Sequence, residues 1–288
     1  MENRIGYKVT EPNRELRALA RMALKGLWGK AFLGVIIYEV LMSGIPNLIT
    51  ALIPSLQYTY TLSEGELTTS FSFSPVLYIY QLLLAGPIVL GYTMFILKIV
   101  RRKEVEHTTI FEGFNFFIKA FLLRFIVGIL VMLWSMPGYL IMGIAAAISP
   151  LLVFVGAIAF IALFVWGYIR YSLATFFMAD DTSLTPMECI KLSKETMVGN
   201  KAKYATLMLS FLGWIILALI PSGSMQQAIA VMNPIVAVIV DLILTIPMYF
   251  VLLYLVTTQA FFFEIATGRL RKEPQVTQWQ QNPWEQNY

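Results

Sequence analysis

Six stretches of this chain stay apolar for about twenty residues or more, the length an α-helix needs to cross about 30 Å of hydrocarbon. They fall at about 31–53, 75–98, 117–147, 150–178, 203–222 and 234–264. A chain of 288 residues cannot hide that much apolar surface in a soluble core: 58% of its residues are hydrophobic and 13% charged, against roughly 45–50% and 25% in soluble domains. Lipid is the solvent that fits the pattern.

The scarce charge sorts by side. Arg4, Lys8, Arg14, Arg17, Arg21, Lys25 and Lys30 precede the first stretch, while Lys98 to Lys103, Lys119 and Arg124 surround the second connection. Arg170, Lys191, Lys194, Lys201 and Lys203 surround the fourth, and Arg269, Arg271 and Lys272 follow the sixth, which accounts for all 21 basic residues. The positive-inside rule then predicts both termini in the cytoplasm, with Ser55–Phe73, the turn at Pro150 and Ser222–Asn233 facing out. The net charge of +4 follows the membrane rather than one soluble face, so nucleic acid is not an expected partner. The basic, polar first thirty residues do not resemble a short cleavable signal peptide and are expected to be retained.

Chemistry has few handles here. One cysteine, Cys189, and one histidine, His107, exclude a disulfide framework and a cysteine- or histidine-based metal centre. The two fall in separate connections, which disfavours a Cys–His nucleophilic pair. No phosphate-binding glycine loop, dinucleotide fingerprint or serine nucleophile elbow occurs. No catalytic residue, metal or cofactor is therefore expected, and the chain reads as a non-enzyme.

The spans repeat. Gly26, Gly113 and Gly199, spaced 87 and 86 residues apart, each close a more polar segment before an odd-numbered span, and Pro46, Pro137 and Pro221 follow near that span's far end. Each even-numbered span carries a tyrosine beside a small or helix-bending residue: Gly91-Tyr92, Gly167-Tyr168 and Pro247-Met248-Tyr249. The pattern predicts an all-α polytopic fold of six spans in three tandem, parallel helical hairpins. Cytoplasmic amphipathic helices are expected beside them. Thr185, Pro186 and Glu188 spell a capping box for a helix from Pro186 to about Val198, and Thr109 and Glu112 stand in the same relation. At the N-terminus Leu16, Ala20, Ala23 and Leu27 make an apolar stripe and Arg14, Arg17, Arg21 and Lys25 a basic one. Such a helix, with Lys30 beyond it, suits either an anionic inner leaflet or the cytoplasmic face of the bundle.

Taken in order, LKGLWGKA, GPIVLGY, FEGF, GYIRYSLATFFMADD and MVGNKAKYATLMLSFLGWIIL resemble the DUF975 family of bacterial integral membrane proteins, from Glu15 to Gly268. That resemblance implies a six-span protein of unknown function in a bacterial plasma membrane. More distantly the chain is similar to the membrane domain attached to some glycerophosphodiester phosphodiesterases, whose chemistry belongs to a soluble domain with no counterpart in these motifs.

Charges at membrane depth cost at least about 2.5–3.5 kcal/mol each and mark where function is sought. Glu39 lies about eight residues into the first span and Asp241 about seven into the last; Arg124 and Arg170 are candidate partners. The four form a candidate intramembrane polar site, for a proton or cation relay or a charged substrate group, with a purely structural pairing as the other reading. Pro87 and Pro247 are read as mid-span helix bends, and the Ser55–Phe73 connection as a solvated loop. The expected organisation is a cytoplasmic segment 1–30, a membrane domain 31–268 and a disordered tail 269–288. The expected role is a small transporter, channel-like or membrane-accessory protein, with lipid handling (translocator or lipid-modifying enzyme) and scaffolding also open. Anionic inner-leaflet lipids, met by Arg14, Arg17, Arg21, Lys25 and Lys30, are the expected partners, and a second membrane protein is a further candidate.

Overall fold

The computed structural model describes residues 6–56, 58–64, 67–230 and 232–270. Arg4, Glu66 and nearly all of the expected tail lie outside them. The helices are α1 (Asn13–Leu24), α2 (Trp28–Glu39), α3 (Ile45–Leu52), α4 (Pro75–Val100), α5 (Thr109–Glu112) and α6 (Phe117–Ile148). They continue as α7 (Pro150–Tyr171), α8 (Ala174–Asp180), α9 (Pro186–Thr196), α10 (Lys201–Ala230), α11 (Pro234–Leu244) and α12 (Ile246–Ala266). Among the described residues six helical stretches are long and apolar enough to cross a membrane, three of them formed by helices joined end to end. These are spans 1 (Trp28–Leu52), 2 (Pro75–Val100), 3 (Thr109–Ile148), 4 (Leu152–Asp180), 5 (Lys201–Met225) and 6 (Ile246–Ala266).

Span 2 is the centre. In its most apolar window 78% of residues are buried by protein, against 17% in spans 1, 3, 4 and 5. Small residues let neighbours approach it, as expected where helices pack in lipid without a hydrophobic driving force. A side chain on Gly91 would run into the carbonyl of Ile110, and one on Gly113 into the carbonyl of Pro87. The GPIVLGY and FEGF segments thus meet glycine to glycine.

Antiparallel pairs surround this centre. Span 1 lies on span 2 through Gly34 against Phe95 and the stacked rings of Tyr38 and Tyr92, 4.5 Å apart. The α6 and α7 helices, joined through Ser149, interlock where Gly138 meets Phe160 and Gly156 meets Met142. Spans 5 and 6 pair through Tyr204–Phe262 and Phe211–Tyr254.

Four local departures from expectation have physical causes. The connection after span 1 is a β-hairpin, β1 (Tyr58–Glu64) against β2 (Leu67–Phe73), in register Tyr58↔Phe73 to Glu64↔Leu67; its polar-apolar alternation favours a pleat. Helix α10 runs on to Ala230 through Pro221, so 222–230 is helix, not loop. There the Ser222 and Ser224 hydroxyls donate to the carbonyls of Leu219 and Pro221, and Pro221 forfeits one bond of a 30-residue ladder, that to the Leu217 carbonyl. The last apolar run breaks at Thr245: Asn233 caps α11, and Pro247, which has no N–H to give, sits at the start of α12 rather than bending a helix midway. Finally, Thr109 and Glu112 form no capping box, because both accept from the Lys98 ammonium, at 2.8 and 3.0 Å.

The capping box at Thr185 forms as read. The Thr185 N–H donates to Glu188 at 2.8 Å and the Glu188 N–H to the Thr185 hydroxyl. Helix α1 buries Leu16, Ala20 and Leu24 completely against the protein, while Arg14 and Arg21 stay exposed. The Tyr254 hydroxyl donates to the Arg17 carbonyl at 3.0 Å and fastens α1 to α12. The extended segment before α1 is held by Asn200, which accepts from Val9 N–H at 2.9 Å and donates to Tyr7 at 2.8 Å.

Candidate functional site

Glu39 ends α2 and opens a π-helical turn, Val40–Gly44. Such a turn spoils the regular carbonyl pairing of a helix. Span 2 repairs it: the Tyr80 hydroxyl donates to the Leu41 carbonyl at 2.5 Å and the Gln81 amide to that of Met42 at 2.6 Å. The Glu39 carboxylate, half-buried, accepts from the Ser43 hydroxyl one turn on.

Tyrosines from all three even-numbered spans reach this point. Tyr92 of span 2 stacks on Tyr38, with its buried hydroxyl unpartnered. Tyr168 of span 4 and Arg124 of span 3 are within electrostatic range of Tyr38, and Tyr249 of span 6 is within range of both Glu39 and Asp241. Glu39 is thus linked to Arg124 by way of Tyr38 and to Asp241 by way of Tyr249, although Asp241 sits in α11 rather than inside the sixth span. No salt bridge joins any of them among the described residues. Arg170 stands apart, with its guanidinium 5.6 Å above the Trp134 ring. Neither a cavity of about 10 Å³ beside Arg124 nor a larger one of about 340 Å³ is lined by Glu39 or Asp241.

The charges that do pair lie at the spans' basic ends. Arg101, just past span 2, donates to Glu264 of span 6 from Nε at 2.8 Å and Nη2 at 2.6 Å, and to Asp180 of span 4 at 2.8 Å. Arg269 grips both Asp180 oxygens and lies 3.8 Å from Glu264. Both acids are almost fully buried. Next to Glu264, Phe263 packs on Phe176 and Phe177 as an aromatic floor. Hydrogen bonds to Asp180 raise the Arg269 pKa further above its ordinary value, so that end of the network stays charged.

This clamp ties spans 2, 4 and 6 at one end and was not read from the sequence. Its signal was present, because each even span ends on charge: Arg101-Arg102, Asp180-Asp181 and Glu264. Beside it the larger cavity is lined by Lys98, Arg101, Glu112 and Asp180 over Met94 and Phe116.

The remaining titratable candidates play local parts. His107 Nε2 lies 3.1 Å from the Lys30 carbonyl oxygen, and Cys189 is buried in α9. Burial first, then the nearby Glu188 charge, pushes the Cys189 thiol up to about 12, far from a reactive thiolate. The Glu188 carboxyl is held below its usual range by the hydrogen bond from the Thr185 backbone, then by that from its hydroxyl.

Six apolar spans fastened by a polar clamp define a polytopic helical chain of the kind expected of a multi-pass membrane protein. Within that class the chain belongs to the DUF975 family, described as a protein of unknown function, whose family model matches residues 10–269. No curated protein and no solved structure matches it.

Proposed function

We propose that this chain is a non-enzymatic multi-pass protein of a bacterial plasma membrane, both termini cytoplasmic, acting as a small transporter or transport accessory. Its working part is the polar neighbourhood of Glu39. The three antiparallel span pairs, each preceded by a cytoplasmic helix, are three tandem hairpins, and the amphipathic α1, with Arg14, Arg21, Lys25 and Lys30 exposed, borders the anionic inner leaflet.

One observation carries this reading. A tyrosine from each of the three even spans comes within range of the Tyr38–Glu39 pair, and the charges there lack ion-pair partners among the described residues. At the cytoplasmic rim, by contrast, the buried acids are fully paired. A carboxylate kept at membrane depth without a cation to pair it is the mark of an ion or substrate pathway.

The test uses the chain's single native thiol. In a Cys189→Ser background, Glu39→Cys and Asp241→Cys are labelled in vesicles with a membrane-impermeant methanethiosulfonate applied from each side. Labelling at either position, with wild-type folded yield, supports a water-reachable pathway. No labelling from either side sinks the transport reading.

A further inference from the structure

Two cations sit together near the beginning of span 5 with no acid to answer them. Arg170 closes α7 and Lys201 opens α10, within electrostatic range of one another. Each lies over an indole: Arg170 is 5.6 Å from the Trp134 ring centre and Lys201 4.3 Å from that of Trp166. Among the described residues neither has a salt bridge, and the Arg170 Nε is buried without a hydrogen-bond partner. A buried guanidinium donor left empty costs about 1–3 kcal/mol or more, and two like charges side by side add repulsion. The two indoles offset part of this cost but supply no acceptor for the Nε and no negative charge. An anion placed between the two removes both penalties.

The surroundings say which anion. Trp166 is half exposed, and Phe164 and Val165 beside it are exposed apolar side chains, so the site opens on a face built for acyl chains. Trp at this level is the usual marker of the headgroup region. Lys201 opens a long helix, and the positive end of that helix's dipole adds to the field. A guanidinium and an ammonium together match the oxygens of a phosphate, the first as a fork and the second as a point charge.

We propose that Arg170 and Lys201, backed by Trp134 and Trp166, bind the phosphate of an anionic phospholipid in the cytoplasmic leaflet, bridging spans 4 and 5. The site is separate from the Glu39 neighbourhood and stands whether or not the chain transports anything.

The experiment compares full-length protein in nanodiscs of phosphatidylcholine, of phosphatidylcholine with phosphatidylglycerol, and of phosphatidylcholine with millimolar inorganic phosphate. Wild type is expected to gain at least about 3 °C in Tm from phosphatidylglycerol and nothing from free phosphate. The double variant Arg170→Gln/Lys201→Gln should lose that gain, and native mass spectrometry should find one fewer phosphatidylglycerol retained. Lys201→Gln alone should lose part of it, which keeps the test open should the double variant fail to fold. Neutralising two other exposed cations, Arg102→Gln/Lys103→Gln, should leave the gain intact. An equal gain in the double variant overturns the site, and an equal gain from inorganic phosphate overturns the lipid as its source.

Discussion

Replacing Arg101 by Met should be among the most damaging changes of a single surface-reaching charge in the chain. The Glu264 side chain is 3% exposed and takes two hydrogen bonds from Arg101, at 2.8 and 2.6 Å. Without them the one cation left within 4 Å of it among the described residues is Arg269, at 3.8 Å. Removing one partner of a buried pair costs about 3–5 kcal/mol because it strands the other charge. Arg101 is itself 23% exposed and Arg269 remains nearby, so the cost belongs at the lower end, about 3 kcal/mol. Changing both residues, Arg101→Met with Glu264→Leu, removes the stranded charge and should recover about 2 kcal/mol. The comparison is Lys98–Glu112, a 3.0 Å pair whose side chains are 33% and 45% exposed, which should couple by about 0.5 kcal/mol. Both double-mutant cycles can be run in one detergent by thermal or denaturant unfolding. If the Arg101–Glu264 cycle couples no more strongly than Lys98–Glu112, the clamp is not a buried network and the reasoning fails.

Two further outcomes follow from local geometry. Gly91→Ala should destabilise by about 1–3 kcal/mol, because its new Cβ meets the Ile110 carbonyl, a backbone atom that cannot step aside; Gly128→Ala, with open space around it, should be neutral or slightly stabilising in the same unfolding assay. The capping carboxylate of Glu188 is more acidic folded than unfolded, so its contribution is present above the ordinary carboxylate value of 4.5 and lost as pH falls through the lower folded value. Amide exchange at the start of α9 should therefore quicken in that acid window, and Glu188→Gln should remove the pH dependence; a window unchanged in that variant would assign it elsewhere.

Much of the architecture was legible because lipid imposes a coarse rule: apolar runs of sufficient length become spans. Hydropathy is blind to what happens within a run. Pro221 and Pro247 look alike in sequence, yet the first is carried inside the long α10, and the second marks a new helix after Thr245. The placement of Asp241 changed with that break. The β-hairpin was missed because tyrosines and a glutamate in a connection suggest solvation, while the two-residue alternation of Tyr58-Thr59-Tyr60-Thr61 was the stronger sign. The capping box was fully readable, since its bonds join residues three apart. Thr109 and Glu112 have the same spacing, but Lys98, from another helix, outbids the local partner. The rim clamp could not be read from spacing at all, because Arg101 and Glu264 stand 163 residues apart and only packing brings them together.

That separation has a consequence for how the protein is made. Arg101 emerges from the ribosome first, Asp180 next, and Glu264 and Arg269 close to the end of the matched region. Until the last span is in place, the only one of the clamp's ion pairs that can form is Arg101–Asp180, between spans 2 and 4. The chain thus checks its own completeness: a copy halted after span 4 carries half a clasp, with Arg101 and Asp180 lacking Glu264 and Arg269, and exposes at its base the aromatic floor that Phe263 would have covered.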